Sequence, residues 1–203
     1  MKQYFTIGRF QPFTIGHLSM IDENVSEYEN ISVYIIANSF IPKANHKKAT
    51  KEQIKNAIEY LESNGQIEMK YSYIHDIISH PFDDELTKQQ FSNYNIDVTF
   101  VKDAYEAISK YKDIKCEKLY MLCGNDRLNT YKKILERQNI ADKIDVLIGS
   151  GRKNGISGTE LRNAIIKDDY KTFCSIIAPK NAYLYNDFLI QYKEYTDYLK
   201  KLI

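Results

Sequence analysis

The fold of this chain is decided by ten residues near its N-terminus, Gly8-Arg9-Phe10-Gln11-Pro12-Phe13-Thr14-Ile15-Gly16-His17. They follow a short apolar run, residues 4–7, that is typical of a buried strand, and they lead into a helix expected over residues 15–24. A strand that turns through glycine into a helix directs free backbone N–H groups and the positive end of the helix dipole towards one place. The sequence therefore predicts an anion-binding turn.

The side chains of this turn suit phosphate. Thr14 and His17 lie three residues apart, so they share a face of the first helical turn, and both can donate hydrogen bonds. Arg9 adds a planar guanidinium that is always charged. Gly8 and Gly16 have no Cβ, so the backbone can approach a ligand closely. The alternative is an ordinary strand–helix turn with a capping threonine.

A second motif, Ile156-Ser157-Gly158-Thr159-Glu160-Leu161-Arg162, stands near the other end of the chain. Residues 8–17 resemble the first signature of the nucleotidylyltransferase superfamily, G-R-F-x-P-x-[HT]-x-G-H, and residues 156–162 resemble its second signature, I-S-x-T-x-x-R. The combination most resembles the archaeal-type and phage-encoded nicotinamide mononucleotide adenylyltransferases. These enzymes usually carry histidine where Thr14 stands, whereas phosphopantetheine adenylyltransferases and some phage enzymes carry threonine there.

The resemblance implies a set of site residues. The implied catalytic residues are His17, Thr14 and Arg162. The residues implied to bind the nucleotide are Gly8, Arg9, Phe10, Gly16, Gly124, Asp126, Arg127, Ser157, Thr159 and Lys47, several of which have simpler alternatives. Ser157 and Asp126 are also good helix caps, and Lys47 lies in a basic loop that needs no function.

The implied reaction is the transfer of AMP from ATP, as its Mg²⁺ complex, to a phosphorylated acceptor. Such an acceptor is largely dianionic at neutral pH, so it needs positioning and charge neutralisation rather than a strong base or a covalent intermediate. Nicotinamide mononucleotide, giving NAD and pyrophosphate, is the leading acceptor. Phosphopantetheine, flavin mononucleotide and CMP transfer from CTP are alternatives within the class, and a non-catalytic nucleotide sensor is an alternative outside it.

Composition narrows the class of partner and the compartment. The 203 residues carry 28 basic and 27 acidic side chains, which predicts no broad surface for nucleic acid or membrane. The three cysteines have no zinc-binding spacing, and no apolar run reaches 18 residues. A cytoplasmic protein without a bound structural metal is expected, and a homo-oligomer is left open.

Five apolar runs alternate with helical patterns and are expected to be strands: residues 4–7, 30–38, 97–101, 118–123 and 143–148. The expected helices span residues 15–24, 50–64, 104–111, 128–137, 157–167, 168–177 and 183–202. This order predicts an α/β fold, a Rossmann-like five-stranded parallel sheet with helices on both faces, plus a C-terminal helical extension. The motifs follow the ends of strands, where such sheets bind ligands.

The expected domain spans residues 1–178, with residues 66–95 interpreted as an insertion. Within that segment the pattern favours a strand over residues 67–74 and a helix over residues 85–91. Residues 179–203 are expected to form a C-terminal helix that packs on the domain or on a subunit partner.

Overall fold

The computed structural model describes residues 2–37, 49–62, 81–114, 118–149 and 157–203. The strands are β1 (Lys2–Gly8), β2 (Ile31–Ile36), β3 (Val98–Val101), β4 (Lys118–Cys123) and β5 (Ile144–Ile148). The α-helices are α1 (Ile15–Asp22), α2 (Lys51–Glu62), α3 (Asp84–Ser92), α4 (Ala104–Ser109), α5 (Leu128–Arg137), α6 (Gly158–Ile166), α7 (Tyr170–Ile176) and α8 (Tyr185–Lys200).

The five strands form one parallel sheet in the order β3-β2-β1-β4-β5. The chain moves outward from β1 through β2 to β3, then crosses back to place β4 on the other side of β1. This reversal is a topological switch point, and ligands of such sheets bind beside the carboxyl ends of the two strands that flank it. The turns after β1 and β4 therefore lie at the expected ligand crevice, and the predicted α/β Rossmann-like fold is confirmed.

Helices cover both faces of the sheet. Because successive strand residues point to opposite sides, each strand packs against both layers of helices. On one face, Met121 and Cys123 of β4 pack with residues of α4 and α5. On the other face, Leu122 packs with residues of α1 and α3. Both faces of the strands are thus apolar, as expected of a parallel sheet buried between two layers of helices.

A third apolar cluster joins the C-terminal helices to α2. Phe188 of α8 is 0% exposed, and its ring centroid lies 4.7 Å from that of Phe82 and 5.6 Å from that of Phe173 in α7. The hydroxyl of Tyr192 donates to the carbonyl of Leu61, at the end of α2, over 2.6 Å. The C-terminal helix therefore lies on helices of its own chain.

The segment interpreted as an insertion is described only in its second half. Residues 81–95 are tightly packed, with Phe82 and Phe91 fully buried in two different clusters. Asp83 caps α3 by accepting from the backbone N–H of Leu86 over 2.7 Å, so this acidic side chain has a structural role. The strand predicted over residues 67–74 lies outside the described residues.

The remaining helix and strand predictions agree with the structure to within a few residues. The helix predicted from residue 183 begins earlier, as a 3₁₀ turn over Pro179–Leu184, before α8. None of the described helices has the length and apolar character that a membrane crossing requires.

Removing the Phe188 ring tests whether α8 is integral to the fold. Phe188→Ala is expected to lower the free energy of unfolding by about 3–5 kcal/mol, because it leaves a cavity between α7, α8 and Phe82. Urea denaturation followed by circular dichroism measures the loss. The control is Ile190→Ala on the same helix, where the side chain is 54% exposed and a change within about 0.5 kcal/mol is expected. Equal losses in the two variants would contradict the packing described for α8.

Tyr131 of α5 gives a test by pH. Its buried hydroxyl donates to the carbonyl of Ile7 over 2.8 Å, and burial raises the pKa of this phenol from 10 to about 12. Because the unfolded chain releases this proton near pH 10, the phenol stabilises the fold fully below pH 10 and loses that effect as the pH approaches 12. The difference in unfolding free energy between the unchanged chain and Tyr131→Phe should therefore shrink from pH 10 to 12. A difference that stays constant over this range would show that the phenol does not titrate with unfolding.

Candidate active site

The two signature motifs touch in the structure. The Arg162 guanidinium donates from Nη1 to the backbone carbonyl of Gln11 over 2.7 Å, and from Nη2 to Thr159 Oγ1 over 3.1 Å. Gly158, which begins α6, lies so close that a Cβ there would be 3.5 Å from the Gln11 carbonyl oxygen. Residues 151 positions apart thus form one site, at the carboxyl end of β1 and the N-terminus of α6.

Thr14 and His17 form a capping box at the start of α1. The backbone N–H of Thr14 donates to His17 Nδ1 over 3.1 Å, and the backbone N–H of His17 donates to Thr14 Oγ1 over 3.4 Å. Because a backbone N–H can only donate, Nδ1 must accept, and the proton of the neutral imidazole therefore lies on Nε2. The capping box thus selects the tautomer of His17 and makes its Nε2–H the hydrogen-bond donor.

Thr14 itself is only 2% exposed, and its Oγ1 also lies 3.0 Å from His17 Nδ1. In this arrangement the hydroxyl binds the imidazole and the first turn of α1. Direct donation from Thr14 to phosphate stays a prediction, whereas its contact with His17 is observed. The sequence correctly placed the two side chains together.

Two aromatic rings pack against the ring of His17. The ring of Phe10 is 4% exposed and meets the His17 ring edge to face at 5.1 Å, while the ring of Phe13 stacks on it at 6.0 Å. Phe10 has a left-handed backbone (φ 50°), which costs a residue with a Cβ about 1–2 kcal/mol. A Cβ on Gly8 would lie 2.9 Å from the Phe10 ring, so glycine is needed there. The nucleotide contact predicted for Phe10 therefore cannot come from an exposed ring.

Asp126 and Arg127 lie in a 3₁₀ turn after β4, at the other side of the crevice. Their side chains form an ion pair at 3.6 Å with more than half of each exposed, so the pair contributes little to stability. The Asp126 carboxylate folds back over Gly124, where a Cβ would lie 2.7 Å from Oδ1. Neither turn nor helix here uses Asp126 as its N-cap, so the simple capping alternative is wrong.

Ser157 caps α6 by accepting from the backbone N–H of Glu160 over 3.1 Å. The contact of Ser157 with a nucleotide stays a prediction. Thr159, Arg9 and Gly16 are half-buried, so each is partly accessible around the site. Lys47 lies outside the described ranges, and so does Ile156, the first residue of the second signature.

The structural roles of two buried glutamines, Gln11 within the first signature and Gln90 in α3, were not predicted from the sequence. Gln11 donates from Nε2 to the carbonyl of Phe82 over 3.0 Å, and Gln90 accepts from the backbone N–H of Phe13 over 2.7 Å. The sequence carries no local signal for these bonds, because the partners are more than 70 residues apart and a polar side chain is ordinarily expected at the surface.

Within the described ranges, no cluster of three or more histidine, cysteine or acidic side chains could hold a metal ion. The described side chains around the two motifs are an imidazole, hydroxyls and guanidiniums, and two helix N-termini add backbone N–H groups. Such donors bind and orient anions rather than act as covalent nucleophiles.

Comparison with known proteins agrees with this chemistry. The sequence pattern of the cytidylyltransferase-like family matches residues 5–164, a span that contains most of β1, all of β2 to β5 and both signatures. No curated protein gave a match. The chain therefore belongs to the cytidylyltransferase-like family, and its reaction class is nucleotidyl transfer.

Proposed function

We propose that the chain transfers AMP from ATP to nicotinamide mononucleotide, giving NAD and pyrophosphate. The observation that carries this proposal is the bond from Arg162 to the Gln11 carbonyl, because it brings both phosphate-binding motifs into one site. The N-termini of α1 and α6 begin at these motifs, so two helix dipoles add positive potential there. A site of this kind suits two phosphorylated ligands.

The reaction needs placement more than proton transfer. An oxygen of the acceptor phosphate attacks the α-phosphorus of ATP, and the bond from that phosphorus to the bridging oxygen breaks, so pyrophosphate leaves with the electron pair. The acceptor is mostly dianionic because its second pKa is about 6, so no general base is required. In-line alignment and neutralisation of charge then carry the catalysis, without a covalent intermediate.

Each signature residue has a role in this scheme. His17 donates from Nε2 to a phosphate oxygen, and Arg9 and Arg162 neutralise charge that develops on the α-phosphate and the departing pyrophosphate. Thr14 is a positioning residue that holds the imidazole through the capping box. Gly124, Asp126, Arg127, Ser157 and Thr159 complete the proposed nucleotide pocket from the ends of β4 and α6.

Magnesium enters this scheme bound to the nucleotide. Mg²⁺ retains several waters and commonly binds one or two carboxylates together with substrate phosphates. Asp126 is an exposed carboxylate in the turn after β4, and in this scheme it would bind a water of that ion or the ribose. When bound, the ion screens the phosphates from each other.

Turnover and its dependence on His17 test the proposed reaction. Pyrophosphate release with Mg²⁺-ATP is measured in the presence of nicotinamide mononucleotide, phosphopantetheine or flavin mononucleotide, with CTP as the alternative donor. We expect turnover with ATP and the nicotinamide nucleotide. His17→Gln should lower the rate by about 10²–10³-fold, because glutamine can restore the capping box through Oε1 but then holds no N–H where the imidazole Nε2–H lies.

His17→Ala is the matched variant, since it loses the cap as well as the donor. Both variants should be equally inactive, but only His17→Ala should lose stability. Turnover with a different acceptor or with CTP would correct the substrate. ATP binding without pyrophosphate release from any mixture would contradict the transferase and favour a nucleotide sensor.

Two substitutions separate the effect of the Thr14 hydroxyl from the effect of the side chain's size. Thr14→Val keeps the shape but removes the hydroxyl, so the unfolding free energy should fall by about 1 kcal/mol and kcat by roughly 10-fold as His17 loses its support. Thr14→Ser keeps the hydroxyl and should retain both. Thermal denaturation and steady-state kinetics measure the two effects. Full activity in Thr14→Val would show that the hydroxyl does not position His17.

A further inference from the structure

We propose that Gln90, outside both signature motifs, is a positioning residue for His17. It does so by fixing the backbone of Phe13, the residue before the capping box. This inference rests on the proposed role of His17 in nucleotidyl transfer, but its structural part can be tested without turnover.

Both ends of the Gln90 amide are used. Oε1 accepts from the backbone N–H of Phe13 over 2.7 Å, and Nε2 donates to the carbonyl of Leu86, one turn earlier in α3, over 3.2 Å. The side chain is 0% exposed. Since the Phe13 N–H can only donate, Oε1 must face it, and this partner determines the orientation of the amide.

Phe13 is held at two successive peptide groups. Gln90 binds the N–H of the Pro12–Phe13 peptide, and the backbone N–H of Ala178 donates to the carbonyl of the Phe13–Thr14 peptide over 3.1 Å. The Phe13 ring also packs on Phe91 with ring centroids 4.3 Å apart. Together these contacts fix both backbone dihedrals of Phe13, and its side chain, against α3 and the chain after α7.

This restraint reaches the imidazole through one further bond. The N–H of the Phe13–Thr14 peptide is the group that donates to His17 Nδ1. If the Phe13 backbone turns, this N–H no longer points at Nδ1, and the reason for the proton to lie on Nε2 is weakened. Gln90 thus influences the tautomer and the orientation of the His17 ring through Phe13 rather than directly.

A second buried amide makes the clamp reciprocal. On the other side of Pro12, which has no N–H to donate, the Gln11 side chain binds the Phe82 carbonyl just before α3. The side chain of Gln11 in the loop therefore donates to the segment before α3, and the side chain of Gln90 in α3 accepts from the loop. This pairing restrains the loop on both flanks of the proline, and Gln90 provides the half nearer His17.

The test replaces Gln90 by leucine, which has a similar volume but leaves the Phe13 N–H without an acceptor. Long-range ¹H–¹⁵N spectra of the histidine rings, recorded without nucleotide, should show the Nε2–H tautomer for His17 in the unchanged chain; comparison with His17→Gln assigns that signal. In Gln90→Leu the signal should shift towards a mixture of tautomers. In the turnover assay kcat should fall about 10- to 100-fold with little change in KM for ATP.

Thr87→Val is the matched control. Thr87 is also fully buried in α3, and its hydroxyl donates to the carbonyl of Asp83 within the helix, so the variant loses a buried bond without touching the loop. It should lose stability but leave the His17 signal and kcat unchanged. Gln90→Asn, whose amide is one bond too short to reach Phe13, is the milder variant if Gln90→Leu does not fold, and it should give the same spectral change.

The proposal is overturned if a folded Gln90 variant keeps the His17 tautomer signal, or if Thr87→Val alters it to the same degree. An absence of turnover in every chain, with the spectral change present, would instead contradict the proposed function while supporting the positioning role. The two failures are thereby distinguishable.

Discussion

The site depends on one charge-assisted hydrogen bond, from the guanidinium of Arg162 to the carbonyl of Gln11. Arg162 belongs to α6, whose buried side packs with α2, α7 and α8, whereas Gln11 belongs to the turn that leaves β1. The bond therefore connects the helical cluster to the sheet at the ligand crevice. The helices after the second signature thus share an apolar cluster with the helix that carries Arg162.

The turn after β1 is unusual because it is buried. Loops ordinarily lie at the surface, since a buried backbone leaves polar groups without water. Here residues 10–14 are all buried, and partners far away in the sequence satisfy several of their groups: Gln90 and Ala178 bind Phe13, and Arg162 binds Gln11. The turn is thus shaped by its surroundings more than by its own sequence, and a backbone restrained in this way suits the alignment of two anions that we propose for the site.

The sequence predicted helices and strands that depend on neighbouring residues, but not contacts between residues that are far apart in the chain. The bounds of β4 and α5 were correct because an apolar run, a glycine and an amphipathic pattern mark them within a few residues. The position of the Phe10 ring was not predicted, because it depends on a left-handed backbone that brings the ring over Gly8. Gln90 was missed because its partner is 77 positions away, and because local pattern places a glutamine of a polar helix in solvent.

Thr14 also bears on which residues direct a hydrogen-bond donor at the site and which supply positive charge. Because the capping box occupies Nδ1 of His17 as an acceptor, protonating that nitrogen would break the bond from the Thr14 N–H. In the function that we propose, His17 donates from Nε2 and the positive charge comes from arginine, which remains charged at any physiological pH. The capping box and its buried supports then determine the direction of the donor, and the arginines supply the charge.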